Sequence, residues 1–300
     1  MNTETKGWRV VTSPDESNGG RVWVIFNDEK HYLTDFRALD DWGVTDWTVE
    51  ELSLEELGQY AVAASIGRRI VRRDDIETLW DARSYFLNGR LRGSGVEFGA
   101  AVNPSPVPPD CTVRYADKFT QEFGCNTGYS GVFVPVTYQT DFESMAGIDN
   151  ESLDFILASH VIEHTTNPLL AIKNAWEKLK PGGVFFMAVP HRDHTFDCKR
   201  TVTELQHLVL DYEKPCRERN LLHIADYIEN TTSLNCTITP HLTAYLNGDE
   251  PDVHWHVFNE DNFAKMVDWF GDNIYHWSYS QVESRIPFPG SNEFYFLAVK

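Results

Sequence analysis

Basic residues are scarce in this 300-residue sequence, which carries 26 Lys and Arg against 45 Asp and Glu, a formal net charge of −19. Such a chain repels phosphate backbones and anionic membrane surfaces, so nucleic acid is not expected as a partner. Apolar runs of the roughly 20 residues that a membrane span needs are also missing. The N-terminal MNTETKGWRV lacks the apolar core of a signal peptide, and we expect a cytoplasmic protein.

Cysteine is equally sparse and is not paired in the sequence. A disulfide framework or a zinc–thiolate site would need closely spaced pairs such as CxxC. The five cysteines are odd in number and scattered, so we expect reduced thiols in a cytosolic protein. They are Cys111, Cys125, Cys198, Cys216 and Cys236.

The N-terminal part of the chain predicts a small separate domain over residues 1–62. Two β-rich runs, VWVIF and EKHYL, flank Asn27-Asp28 and predict a hairpin, and acidic segments after them predict short helices. The arginine-rich segment that follows predicts a connecting helix within residues 63–92.

From residue 93 the pattern alternates between strands and helices. GVEFGA, TVRYAD, LDFILAS and VFFMAVP are predicted strands, and a helix after Asn167 has a fitting N-cap with Pro168 at its first position. This alternation predicts an α/β domain with a parallel sheet over residues 93–300. Two β-rich segments near the end, NIYHWSYSQV and NEFYFLAVK, are expected to pair antiparallel.

Polar or small residues follow three of the predicted strands. Ligands of doubly wound sheets bind outside the carboxyl ends of the strands, and Gly99, Asp117 and Ser159 stand at those ends. The pattern G-x-G-x-x-G is absent and prolines follow from Pro104, so no free helix N-terminus is expected to hold a diphosphate. A nicotinamide dehydrogenase is therefore disfavoured, and a ribose-bearing ligand without a diphosphate fits better.

Four motifs in order, VEFGAAVNP, VRYAD, SLDFILASHVIEH and AWEKLKPGGVFFMAVP, resemble the class I S-adenosylmethionine-dependent methyltransferases. The resemblance covers residues 93–300 and is closest to a bacterial group with S-x-x-x-EH and L-x-PGG motifs. It implies a doubly wound, mostly parallel seven-stranded Rossmann-like sheet, here with a small N-terminal α+β domain. TFDCKRTVTELQHLVLDY and DVHWHVF are similar to a branch associated with polysaccharide or envelope modification.

The same resemblance implies S-adenosylmethionine as cofactor and a role for nine residues. Glu97, Gly99, Ala100, Ala101, Ser159 and His160 would hold the methionine portion, Asp117 the ribose, and Asp141 with Phe142 the adenine. Ala101 stands where most members carry glycine; its added methyl group could push the cofactor outward, and whether it weakens cofactor binding stays open.

A hydroxyl acceptor needs a group that removes its proton. The candidates are His191 and His194, after the strand VFFMAVP, and the pair His207 and Asp211, which share a helix face because they are four residues apart. His207, His254 and His256 could instead bind a divalent metal, or these histidines could be structural.

We expect O-methylation of a sugar or glycan-linked hydroxyl, with a small molecule or glycan as the acceptor. Two alternatives stay open: a non-catalytic binding or scaffold protein on a degenerate methyltransferase fold, and a methyltransferase acting on nitrogen or a carboxylate of a small molecule. The acceptor, the use of a metal and the oligomeric state also stay open.

Overall fold

The computed structural model describes residues 7–45, 47–69, 72–119, 133–231 and 238–300. The chain separates into two compact units. The first comprises residues 1–140 and 153–157, and the second comprises residues 141–152 and 158–300.

The N-terminal part of the first unit is built on a small mixed sheet in the order β4-β1-β2-β3-β5. Strands β2 and β3 form the predicted hairpin, with Asn27 and Asp28 in the left-handed region at φ values of 53° and 61°. Two left-handed residues are the requirement of a type I′ turn. The expected short helices α1 and α2 are present, whereas β1, β4 and β5 were not predicted. The bounds are β1 Arg9–Thr12, β2 Val22–Phe26, β3 Glu29–Leu33, α1 Arg37–Asp41, β4 Val49–Glu51, α2 Leu54–Gly58 and β5 Ala61–Ile66.

The second sheet confirms the predicted α/β class. Its seven strands among the described residues lie in the order β11-β12-β10-β9-β6-β7-β8. Strands β6, β7 and β8 pair parallel. Strand β12 pairs antiparallel with β11, as expected, and also with β10, which was not predicted. The bounds are β6 Ser94–Phe98, β7 Thr112–Asp117, β8 Val136–Gln139, β9 Leu153–Ser159, β10 Leu179–Pro190, β11 Tyr279–Glu283 and β12 Glu293–Val299.

Side-chain N-caps fix the starts of several helices. Asn167 caps α4 as predicted, because its Oδ1 accepts a hydrogen bond from the Leu170 amide at 3.0 Å. The connecting helix is shorter than expected: it begins after Thr78, whose hydroxyl accepts from the Asp81 amide. The bounds are α3 Leu79–Leu87, α4 Pro168–Lys178, α5 Leu205–Glu213, α6 Asn220–Thr231, α7 Ile238–Leu246 and α8 Glu260–Asn273.

The expectations about cysteines and about membrane spans can be compared with the described part of the chain. Cys111, Cys198 and Cys216 are free thiols, and Cys125 and Cys236 lie outside the described residues. Within the described ranges no helix is both long and apolar enough to cross a membrane.

Candidate active site

The loop after β6 has an unusual backbone in the first unit. Gly99 and Ala101 both lie in the left-handed region, at φ values of 65° and 47°. Glycine adopts this region freely, whereas a residue with a Cβ does so at a cost of roughly 1–2 kcal/mol. The loop therefore keeps the backbone of a glycine-rich turn even where alanine replaces glycine.

Glu97 is buried at the end of β6 and binds its own loop. Both of its carboxyl oxygens accept from the Ser105 amide, at 2.9 and 3.0 Å. Burial raises its pKa to about 7, although the bonds from Ser105 and the charge of Arg83 act in the opposite direction. The side chain thus fixes the shape of the loop from inside.

The N-terminal sheet supports the same loop within the first unit. The Ser65 hydroxyl donates to the Pro104 carbonyl at 2.8 Å, and Ser65 also forms an isolated parallel bridge with Pro106. Arg21 donates to the carbonyl of Val102 at 3.3 Å. The N-terminal strands therefore contribute to holding the polar turn and are more than an appendage.

Asp117 is the last residue of β7, the position expected for a ribose-binding carboxylate. Its side chain is half-buried, and Oδ1 accepts from the Phe119 amide at 2.9 Å. Its carbonyl accepts from the Thr140 amide, which fixes the strand end.

Asp141 and Phe142 begin the second unit. Asp141 is exposed and its two oxygens accept from the amide and the hydroxyl of Ser144, each at 2.6 Å. The Phe142 ring is buried, with its centroid 6.3 Å from that of Phe185. Of this pair, only Asp141 presents its side chain to solvent.

Ser159 ends β9, and His160 turns the chain sharply after it. His160 has a φ of 54°, and histidine is among the residues that tolerate this region best. Its amide donates to the Ala188 carbonyl, and its Nε2 lies 2.9 Å from Oε2 of Glu293, which is fully buried. Glu293 begins β12 opposite Pro190, at the end of β10.

A second carboxyl group, Glu163, lies close to three histidines in the same unit. Its Oε1 is 3.9 Å from Nδ1 of His160, 3.8 Å from Nε2 of His164 and 3.9 Å from Nε2 of His254. Glu163 is buried, and neither of its oxygens has a hydrogen-bond partner among the described residues. Glu163, His164 and His254 have a geometry that could hold a cation.

His254 is anchored by Asp197 on its other side. Nδ1 of His254 lies 2.6 Å from Oδ2 of Asp197, which also binds Arg200. Burial opposes ionisation of Asp197, but the bonds from His254 and Arg200 outweigh it and lower its pKa.

His191 and His194 lie in the turn after β10, as expected. His191 uses both ring nitrogens: Nδ1 accepts from the Asp193 amide at 3.1 Å, and Nε2 lies 2.8 Å from Oε2 of Glu260. Burial lowers the pKa of His194, and the charges of Arg285 and His191 add to this effect. Neither ring is as directly paired with a buried carboxyl group as His160 is.

His207 and Asp211 meet on one face of α5, with 3.1 Å between Nε2 and Oδ2. The structure separates the three histidines proposed as metal ligands. His207 and His256 lie together with Asp211 and His223, whereas His254 lies with Glu163.

Two residues of these clusters were not singled out from the sequence, Glu293 and His223. Glu293 could have been found, because the first residue of one strand in an antiparallel pair lies beside the last residue of the other strand. His223 carries no such signal, since it lies among apolar residues in NLLHIADYI.

Residues 81–274 match the family model described as a methyltransferase domain, and the chain belongs to this family. It is an S-adenosylmethionine-dependent methyltransferase, and S-adenosylmethionine is its cofactor. No curated protein matches the sequence.

Solved structures of S-adenosylmethionine-dependent methyltransferases are similar to the chain at low identity. One from Thermotoga maritima is 16% identical, with 70% of this chain and 82% of that chain covered and a TM-score of 0.37. One from Listeria monocytogenes is 15% identical, with 74% and 97% covered and a TM-score of 0.38. One from Methanosarcina mazei is 13% identical, with 69% and 90% covered and a TM-score of 0.36. At these identities nothing follows about the acceptor of this chain.

Proposed function

We propose that this methyltransferase acts on a hydroxyl group of a sugar or of a glycan-linked acceptor. The observation that carries the proposal is the pair formed in the second unit by His160, which directly follows β9, and Glu293, the first residue of β12. When bound, S-adenosylmethionine supplies an electrophilic methyl group on a sulfonium. A hydroxyl oxygen that accepts it must lose a proton, and a positioned imidazole is the commonest group for that task.

The cofactor-binding roles follow the family resemblance and fit the local geometry. The left-handed backbone at Gly99 and Ala101 forms a turn with little side-chain bulk, which suits close approach of a ligand. Ser159 has a buried hydroxyl without a hydrogen-bond partner among the described residues, as expected of a group that awaits one. We assign the methionine portion to Gly99, Ala100, Ala101, Ser159 and the His160 backbone, the ribose to Asp117, and the adenine to Asp141 and the Phe142 backbone, with Glu97 holding the loop.

His160 has the geometry of a general base. With its Nε2 proton donated to Glu293, Nδ1 keeps the lone pair that takes a proton from the acceptor. Glu293 and Glu163 lie on either side of the ring, and their buried carboxyl groups favour the positive charge that it gains. The ring is 32% exposed while both carboxyl groups are buried, so a substrate can reach the base but not its partners.

The charge of the chain favours a neutral acceptor. The chain has a net charge of −19, so it repels a carboxylate substrate at long range. A carboxylate is also ionised at neutral pH and needs no base, so the His160–Glu293 pair would have no function in its methylation.

The variant His160→Asn tests the assignment. Asparagine tolerates the left-handed backbone at this position, so the fold and the amide bond to Ala188 should persist. We expect kcat for methyl transfer to fall by roughly 10²–10⁴-fold, with unchanged affinity for S-adenosylmethionine. The control is His241→Asn, which replaces an exposed histidine on α7.

Methyl transfer from labelled cofactor to neutral glycans should give a methyl ether that survives mild alkali. A methyl ester that mild alkali removes, or a methylated amine, would overturn the proposed acceptor class. Full turnover in His160→Asn would overturn the assigned base.

A further inference from the structure

Four side chains of the second unit converge from two helices and a loop. His207 and Asp211 come from α5, His223 from α6 and His256 from the loop before α8; we refer to them as the histidine–aspartate cluster. Nε2 of His207 lies 2.9 Å from Nε2 of His223 and 3.1 Å from Oδ2 of Asp211. Nε2 of His256 lies 3.8 Å from the same oxygen. One ligand atom from each residue lies within 4.8 Å of the other three.

Hydrogen bonds alone leave this cluster incomplete. Nε2 of His207 carries at most one proton, yet it has two acceptor-type neighbours at hydrogen-bond distance. Oδ2 of Asp211 is buried and receives no well-directed hydrogen bond from the described residues, although Nε2 of His207 and Nε2 of His256 lie 3.1 and 3.8 Å from it. Unsatisfied buried polar atoms are rare in proteins and call for a ligand or an ion. A cation between the four side chains would turn the facing lone pairs into ligands.

Groups outside the cluster fix the position of Asp211. Arg219 binds Oδ1, which leaves Oδ2 directed at the histidines. The Asn167 side chain donates to the Asp211 carbonyl at 2.9 Å. Such outer contacts are typical of metal sites, because they orient the ligands in advance.

His256 is held equally firmly through the backbone around it. Its amide lies 3.3 Å from the Glu163 carbonyl, and the next residue, Val257, exchanges hydrogen bonds with Thr203 at 2.9 and 3.0 Å. Nε2 of His256 also approaches the Thr166 carbonyl, at 3.3 Å, a weak contact that a metal would replace.

We propose that His207, Asp211, His223 and His256 bind one divalent transition-metal ion, and that Zn²⁺ is the best match. Three imidazole nitrogens and one carboxylate oxygen suit its tetrahedral coordination. Four protein ligands leave no open position, which defines a structural ion that ties α5 and α6 to the loop before α8. His207 then acts as a ligand and not as a base. The inference does not depend on the proposed acceptor.

Titration of the full chain with ZnSO₄ after removal of metals by a chelator tests the site. We expect one tightly bound equivalent and a higher melting temperature, because an ion that binds only the folded state stabilises it. Substitution with Co²⁺ should give the visible absorption of a tetrahedral site. Neither measurement involves methyl transfer. Failure of the metal site to bind an ion can therefore be distinguished from failure of the proposed methyl-transfer function.

Four variants locate the ion. His223→Gln should lose the tight equivalent, and Arg219→Ala should weaken Zn²⁺ binding by about 10–100-fold, as loss of an outer contact does. His164→Gln, in the neighbouring cluster with Glu163, and the exposed control His241→Gln should keep it. If His223→Gln does not fold, His207→Gln replaces it, since that side chain is 29% exposed.

Absence of a tight equivalent in the unsubstituted chain would overturn the proposal, as would its retention in the folded cluster variant. Loss of the equivalent in His164→Gln but not in His223→Gln would place the ion at Glu163 and would also overturn it.

Discussion

Ala101 adopts a backbone conformation that is suited to glycine, and this has a measurable cost. Its φ of 47° carries a penalty of roughly 1–2 kcal/mol for a residue with a Cβ, partly offset by the lower entropy of unfolded alanine. We expect Ala101→Gly to raise the free energy of unfolding by about 0.5–1 kcal/mol, measured by urea denaturation.

The neighbouring Ala100 provides the matched control. It is buried and lies outside the left-handed region. Ala100→Gly should therefore destabilise the fold by about 1–2 kcal/mol, through lost burial and a more flexible unfolded chain. Equal destabilisation by both substitutions would show that the loop backbone at Ala101 is not strained.

Glu97 should make stability depend on pH. Its pKa is raised from 4.5 to about 7 by burial, so the folded state disfavours the ionised form. The free energy of unfolding of the wild type minus that of Glu97→Gln should fall by on the order of 3 kcal/mol as pH rises from about 4.5 to 7. Above pH 7 this difference should stay level. Denaturation at pH 4.5, 6 and 7.5 measures it, and a constant difference would contradict the raised pKa.

The sequence located candidate residues best where they stand at strand ends. Gly99, Asp117 and Ser159 were placed correctly at the ends of β6, β7 and β9, because a buried run followed by a polar residue marks such an end. The sequence did not identify His223 or the partner of His160. Those contacts join segments 16 and 133 residues apart in the chain, and no local pattern encodes them.

The cap of α4 also reaches another helix. Asn167 accepts from the Leu170 amide and donates to the carbonyl of Asp211 on α5. Asn167→Ala should lower the free energy of unfolding by about 2–3 kcal/mol, since it removes a cap worth about 1 kcal/mol and leaves a buried carbonyl unpaired.

Ser53 is the control for the cap alone. It caps α2 in an exposed capping box, where its hydroxyl accepts from the Glu56 amide at 3.2 Å. Ser53→Ala should cost about 0.5–1 kcal/mol. Losses of the same size in both variants would mean that the bond to Asp211 contributes nothing.

Elements with a strong local pattern were predicted, and those fixed by pairing were not. TVRYAD and LDFILAS became β7 and β9 with the expected bounds, and the hairpin formed at Asn27-Asp28. Strand β4, with the exposed sequence VEE, exists because it pairs with β1, and its composition favours no strand. The predicted connecting helix shortened because Thr78 offers a cap inside it.

At the scale of the whole molecule, the α/β class and the seven-stranded sheet followed from alternation and motif order. The extent of the N-terminal sheet did not, because β1, β4 and β5 depend on contacts that the sequence does not display. The missing G-x-G-x-x-G pattern favoured a ribose-bearing ligand without a diphosphate, and S-adenosylmethionine, the cofactor of the family, is such a ligand.

The central claim is that S-adenosylmethionine binds at the end of β7 through Asp117. Calorimetric titration of the full chain with S-adenosylmethionine tests it most directly, with Asp117→Ala beside Asp110→Ala, an exposed aspartate of the same unit. Loss of an acceptor for two ribose hydroxyls should weaken binding by roughly 1.5–3 kcal/mol, or about 10–100-fold, while Asp110→Ala binds like wild type. Equal affinity in a folded Asp117→Ala protein, checked by its melting temperature, would contradict the account.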